Sequence, residues 1–210
     1  MKILIVAATR AELSGLCTAF NLPEGNFIPT PKFDLLITGV GMTATAFALG
    51  RHLSPHYELV VNLGIAGCYD QTIPLGSILN VTSDEFSELG AEDRDEFLPI
   101  DLLGFGRSSY SAANELKTPG FLALQQVNGI TVNKVHGNKT SIEAIIKRLN
   151  PVTESMEGAA VFYCCAQTET PCLQVRSISN YVEERNREAW KIGLAVKNLN
   201  EWAIEFLTTS

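Results

Sequence analysis

Apolar residues in this chain gather into short unbroken runs set between glycines and polar turns. The opening run, KILIVAA, is continuously apolar rather than alternating, the pattern of a strand buried on both faces of a mostly parallel sheet. FDLLITGVG repeats the pattern and ends in glycines. It leads into TATAFALGRHL, whose small and apolar residues suit a helix packed closely on a sheet. ELVVNLG follows, then SILNVTS after a turn rich in Gly and Pro. The second half supplies a strand GITVNKV, a helix from about Ser141 to Leu149, a helix over MEGAAVFYCCAQT and a strand CLQVRSIS running into Asn180. A helix from about Asn186 to Leu207 closes the chain. Apolar strands alternating with helices predict an α/β fold.

Between Asp84 and roughly Tyr110 the text turns polar and irregular, with DEFSELGAEDRDEF inside it. Long segments without clear periodicity often carry function, so this one is expected to be a loop covering a site. No internal repeat or low-complexity linker breaks the chain. Its 210 residues suit one domain, residues 1–210, since domains commonly run to about 100–200 residues.

Composition narrows the function classes. Hydrophobic residues make up 46% and charged residues 19%, ordinary for a globular enzyme and far from a disordered chain. The net charge of −7, with no run of Lys or Arg, lacks the electrostatic footprint of a nucleic-acid binder. The apolar stretch Ile3–Ala8 is interrupted by Arg10 and Glu12, too soon for a signal-peptide core or a membrane span, so a cytoplasmic protein is expected. The five cysteines show no CxxC spacing, and buried free thiols are a better reading than disulfides or a zinc site.

Candidate chemistry lies at strand ends. GVGMTA, Gly39 to Ala44, lacks the third glycine and the downstream acid of a dinucleotide site. Its glycines either let backbone amides approach a ligand or let the helix pack on the sheet. NLGIAG, Asn62 to Gly67 with Ala66 inside it, puts two glycines directly after a buried strand, either where parallel sheets form their ligand crevice or as a plain turn. In MEGAA, Glu157 stands at a helix start, where it either binds a ligand or caps the helix. SISNY delivers Ser179 and Asn180 to the same edge, as ligand contacts or as plain turn residues. Glu12 follows the first strand and would draw no comment alone.

AATRAEL, GVGMTATAFALGRHL, NLGIAG, SMEGAA and SISN stand in the order and at the spacings of the nucleoside phosphorylase class, which includes the nucleosidases of methylthioadenosine and S-adenosylhomocysteine. The resemblance spans most of the chain. Within the class, VNLGIAGCYD, LGSILNVTSDEFSELGAEDRDEF, VHGNKTSIE and SNYVEERNREAW look most like the branch that hydrolyses futalosine. That branch releases hypoxanthine in an alternative menaquinone pathway. The resemblance implies a three-layer nucleoside phosphorylase-like fold with a mixed, mostly parallel sheet flanked by helices. It also implies a small purine nucleoside as substrate, no metal or organic cofactor, and a homo-oligomer.

By the same resemblance, Glu12 activates the attacking water and Glu157 binds the ribose hydroxyls, with Met156, Ser179, Ala66 and Gly67 completing the pocket. Phe86, in the polar segment, is the candidate to cover the purine, or else a core aromatic. Adenine-releasing relatives carry an aspartic acid where this chain has Asn180. An amide cannot act as a general acid, but it can donate to a 6-oxo group and accept from a protonated N7, which favours hypoxanthine over adenine as leaving group. Phosphorylases for 6-oxopurines carry the same Asn, so phosphorolysis stays open, as does a non-catalytic nucleoside-binding module. Arg10, two residues from Glu12, would either hold an anion or pair with that carboxylate.

Overall fold

The computed structural model describes residues 2–112 and 119–209. Eleven strands and six α-helices occur among them: β1 (Ile3–Ala7), α1 (Ser14–Ala19), β2 (Phe27–Pro29), β3 (Phe33–Ile37), α2 (Met42–His52), β4 (Leu59–Cys68), β5 (Ile78–Phe86), β6 (Gly90–Asp93), β7 (Glu96–Pro99), β8 (Ser109–Ser111), α3 (Pro119–Leu122), β9 (Gln125–Thr131), α4 (Lys139–Leu149), β10 (Thr153–Ser155), α5 (Gly158–Gln167), β11 (Cys172–Tyr181) and α6 (Ile192–Thr209). Nine strands form one mixed sheet, ordered β10-β9-β5-β11-β4-β1-β3-β2, with β8 paired to β5. The strands β3, β1, β4 and β11 run parallel to one another. β10 pairs with β9 and also, antiparallel, with the end of β4, so β4, β11, β5, β9 and β10 close into a ring.

The continuous apolar runs are explained by burial on both faces. Ile3, Ile5 and Ala7 of β1 join Leu16 of α1 and Leu199, Ala203 and Phe206 of α6 in one core. Leu4 and Val6, pointing the opposite way, pack with Leu49 of α2 and Val161 and Phe162 of α5 in a second. Each fully buried side chain of this size contributes about 1.5–3 kcal/mol, so both faces must be covered, and the result is three layers. The five cysteines are free, four of them buried. Among the described residues no helix is long and apolar enough to cross a membrane.

Three expectations need correction. The segment from Asp84 to Tyr110 is largely ordered structure: Asp84 to Phe86 complete β5, β6 and β7 form a separate antiparallel hairpin, and β8 returns to pair with β5. All four residues of β6 are exposed, and without a buried face its strand writes no apolar alternation into the sequence. NLGIAG is not a turn after a strand, because β4 runs through it to Cys68. The closing helix begins at Ile192, after a short 3-10 turn at Arg187–Ala189.

Candidate active site

Parallel β4 and β11 run on together past the end of β1, which opens a crevice at that edge of the sheet where the chain leaves β1. A cavity of about 340 Å³ lies there, lined among others by Glu12, Ala66, Gly67, Met156, Glu157, Ser179 and Asn180. The structure thus brings seven of the eight residues singled out in the sequence to one place. Phe86 is the exception. Its ring lies in an aromatic cluster with Tyr110 and Tyr163, at a different cavity beside α2 and α5. Because β5 extends through Phe86, its side chain is directed to the α5 face of the sheet and away from the crevice.

Glu12 is fixed by the turn that follows β1. Thr9 and Glu12 form a capping box: the Thr9 hydroxyl accepts from the Glu12 amide, while the Thr9 amide and hydroxyl both donate to Glu12 Oε2 at 2.9 Å. The amide of Ile65 donates to Oε1 at 3.2 Å, tying the carboxylate to β4. Asn200 of α6 donates to the Glu12 carbonyl at 2.8 Å. The side chain is therefore held by the turn and by β4, and its backbone by α6, at the wall of the cavity.

Arg176, on β11, escaped notice in the sequence because it sits inside an apolar strand. It is 2% exposed, and its Nη1 donates to Asn62 Oδ1 at 3.3 Å. Nε and Nη2 have no partner among the described residues. Gly64 separates this guanidinium from Glu12: a Cβ there would lie 2.7 Å from Arg176 Nη1 and 3.0 Å from Glu12 Oε1. Only glycine lets cation and carboxylate approach the same point of the strand. Buried donors left unpaired are costly, which marks this place as one built for a polar guest.

Glu157 stands at the N-cap of α5, yet its side chain makes no capping bond there. Hydroxyls do that work instead: Ser155 Oγ accepts from Gly158 N at 3.2 Å and Thr131 Oγ1 from Ala159 N at 2.7 Å. The Glu157 carboxylate turns to the opposite element and accepts from Gly41 N at 2.9 Å, at the start of α2. Gly41 has φ +95°, a conformation that suits glycine, so the GVG segment serves to aim this amide. Burial raises the pKa of Glu157, opposed by the Gly41 amide and the charge of Arg176, while Glu12 adds to the rise.

Asn180 sits just beyond an irregularity in β11, where the register against β4 shifts between Ile178 and Asn180. Such a bulge re-aims a side chain. Asn180 Oδ1 accepts from Ser179 Oγ at 2.8 Å, and Nδ2 donates to the Tyr181 carbonyl at 3.0 Å. These contacts fix the amide orientation and leave one N–H and one lone pair for a ligand. Trp190, Ile192 and Val196 supply an apolar wall to the cavity. Trp190 lies in the segment SNYVEERNREAW, whose lack of periodicity hid it as a wall residue.

Arg10 does not pair with Glu12. Its Nη2 donates to the Leu22 carbonyl at 3.0 Å and its Nε lies 3.3 Å from Glu24, on the far side of the turn.

Two carboxylates and a strand-end amide line an apolar-walled crevice, with a buried guanidinium beneath it. In accord with this, residues 2–208 match the family described as the phosphorylase superfamily, and the chain belongs to it. Futalosine hydrolase of Streptomyces coelicolor is 31% identical, covering 96% of this chain and 93% of that protein. Futalosine hydrolase of Acidothermus cellulolyticus is 33% identical, over 95% of this chain and 87% of that one. Within the superfamily the chain thus belongs to the futalosine hydrolase family. The solved structure of futalosine hydrolase from Helicobacter pylori shares the fold, with a TM-score of 0.82 at 16% identity, covering 100% of this chain and 98% of that one. So does the methylthioadenosine/S-adenosylhomocysteine nucleosidase of the same organism, with a TM-score of 0.83, 16% identity and coverage of 100% and 99%.

Proposed function

We propose that this protein hydrolyses the N-glycosidic bond of futalosine, releasing hypoxanthine and dehypoxanthine futalosine in the futalosine route of menaquinone biosynthesis. The observation that carries the reading is the approach of the Glu12 carboxylate and the Arg176 guanidinium to the same point beside Gly64. A water molecule placed there donates to Glu12 and accepts from Arg176, so its lone pair is aimed and its proton has a destination.

As the C1′–N9 bond breaks, positive charge develops on the ribose. Glu157, whose position beside Gly41 faces the cavity, accepts from the ribose hydroxyls and stabilises that charge. The water oxygen bonds to C1′ and its proton passes to Glu12. Asn180 donates to the 6-oxo group of the departing purine, with Met156, Ser179, Ala66 and Gly67 shaping the wall around it. No metal or organic cofactor takes part in these steps. Phosphorolysis, the other reaction compatible with Asn180, needs phosphate held at the attack side, where Arg176 is matched by the Glu12 carboxylate and no Lys or Arg lines the cavity among the described residues. Arg10 faces Leu22 and Glu24 instead, and Glu12 repels an anion.

We read residues 1–210 as one cytoplasmic domain that acts on a small purine nucleoside. We also read it as a homo-oligomer, since Val40, Phe47, Leu102 and Phe105 present exposed apolar side chains suited to a second copy.

The decisive experiment incubates the purified protein with futalosine in phosphate-free and phosphate-containing buffer and follows hypoxanthine by chromatography. Release without phosphate is expected. Release only with phosphate would make it a phosphorylase, and none in either buffer would leave a binding role. Asn180→Asp is expected to shift the ratio of kcat/KM for adenine over hypoxanthine nucleosides upward by about 10-fold or more, because the carboxyl can protonate N7 and no longer donates to a 6-oxo group. An unchanged ratio would remove Asn180 from base selection.

A further inference from the structure

Cleavage of a 6-oxopurine nucleoside leaves an electron pair on the departing ring, and the Asn180 amide has no acidic proton to give it. Gly67 of β4 is flanked on one side by Asn180 of β11 and on the other by Glu154 of β10. Glu154 is 4% exposed and collects three donors. Tyr69 Oη donates to Oε2 at 2.6 Å, the His136 amide donates to Oε1 at 2.9 Å, and His136 Nδ1 stands 2.5 Å from Oε2. Burial, and then the charge of Glu154, push the Tyr69 phenol far above its ordinary pKa, so it stays a donor. A carboxylate that already takes the Tyr69 proton leaves Nδ1 of the ring as a donor too.

The other ring nitrogen, Nε2, makes no hydrogen bond among the described residues, and the ring lines the same cavity as Asn180. The loop that carries it is pinned immediately after the ring. Asn138 caps α4 through Thr140 and Ser141, and Arg185, just after the Asn180 strand, donates its amide to the Gly137 carbonyl at 3.2 Å. A histidine serving only to satisfy Glu154 would add little, since Tyr69 and the backbone amide already occupy both carboxylate oxygens.

We propose that His136 is a catalytic acid of this site, held by Glu154 and Tyr69 so that Nε2–H meets the leaving purine. The assignment rests on reading the cavity as a purine nucleoside site. As the C1′–N9 bond breaks, its electron pair moves into the purine, and the imidazolium Nε2 proton goes to a purine ring nitrogen. The base leaves neutral and His136 becomes neutral. The water proton taken up by Glu12 returns to His136 through solvent after release, so each turnover closes without a co-reactant. The Glu154–His136 couple works as orienter and acid, with Tyr69 securing the orienter. Other charged groups face the ring from both sides: Glu12 and Glu157 across the cavity, and Glu92, Arg94, Asp95, Glu96, Lys147 and Arg148 across the neighbouring cleft between the β6–β7 hairpin and α4.

The test compares the unaltered enzyme with His136→Gln and Glu154→Gln on futalosine and on an N7-methylated 6-oxopurine nucleoside, whose base departs neutral without a proton. His136→Gln is expected to lower kcat on futalosine by about 10²–10⁴-fold, leave KM within a few-fold and abolish the fall in rate at high pH. On the N7-methylated nucleoside it stays within a few-fold of the unaltered enzyme. Glu154→Gln, which keeps the ring, moves the alkaline limb to lower pH. Unchanged kcat and pH profile in His136→Gln, or an equal loss on both substrates, overturns the assignment. Absence of futalosine hydrolysis by the unaltered enzyme instead overturns the reading beneath it.

Discussion

Glu12→Gln is expected to lower kcat on futalosine by a factor of about 10²–10⁴ while KM changes little. Glutamine keeps one carbonyl oxygen, enough to accept from the Thr9 amide and hydroxyl and preserve the turn after β1. It cannot take a proton from water. Its amide nitrogen then faces the Ile65 N–H, donor against donor, where Oε1 accepted at 3.2 Å. That conflict costs about 1–3 kcal/mol of stability, so the melting temperature should fall alongside the rate. Steady-state kinetics with calorimetric melting separates the effects. A variant that melts lower yet turns over at the native rate would remove Glu12 from the chemistry.

Glu157→Gln is expected to reduce kcat/KM by about 10²–10³-fold, the usual cost of losing one preorganised electrostatic contact to a developing charge. Stability should hold, because Ser155 and Thr131 already serve the first amides of α5 and the carboxylate caps nothing on its own helix. The pH dependence carries a sign that can be checked. Burial sets the Glu157 pKa above its ordinary value, and only the ionised form stabilises the ribose cation. Activity of the native enzyme therefore falls as pH drops through a value above the ordinary carboxylate range, and this acid limb weakens in Glu157→Gln. Stability runs the other way. The native state holds the proton more tightly than the unfolded chain, so the Glu157 contribution is present at low pH and lost as pH rises through the native value. Parallel melting curves for the variant and the native protein across pH 4–8 would contradict the burial on which both signs depend.

How far the sequence spoke for itself depends on what each residue faces. β1, β3, β4 and β11 were legible because both faces of each are covered, which writes unbroken apolar runs. The β6–β7 hairpin was misread as a loop because β6 has no buried face. β10 was missed because Thr153, Glu154 and Ser155 are buried polar residues, satisfied by neighbours that no local pattern reveals. The same logic divides the site. Glu12, Glu157 and Asn180 stand where apolar segments end, and there a polar residue is conspicuous. Arg176 sits within its strand and Glu154 depends on a distant Tyr69, so their partners had to be seen in space. Phe86 was misplaced for the opposite reason: an aromatic in a polar stretch drew attention, although strand alternation turns it toward Tyr110 and Tyr163.

Behind the cavity, Arg176 donates to Asn62, Asn62 to Gln174, Gln174 to Asp84, and Thr131 to Asp84 while accepting from Ala159 of α5. Burial lifts Asp84 to a pKa of about 6, partly offset by these donors and by Arg176. A single thread of hydrogen bonds thus links the cation on the water side to the helix that carries Glu157 on the ribose side. The positions proposed for the attacking water and for the sugar are registered to the same internal ruler. Shortening or recharging any link, Gln174→Leu for instance, would shift the water and the sugar relative to each other, although neither touches that residue. On the proposed reading, the spacing between nucleophile and sugar is thus set by side chains buried in the protein interior.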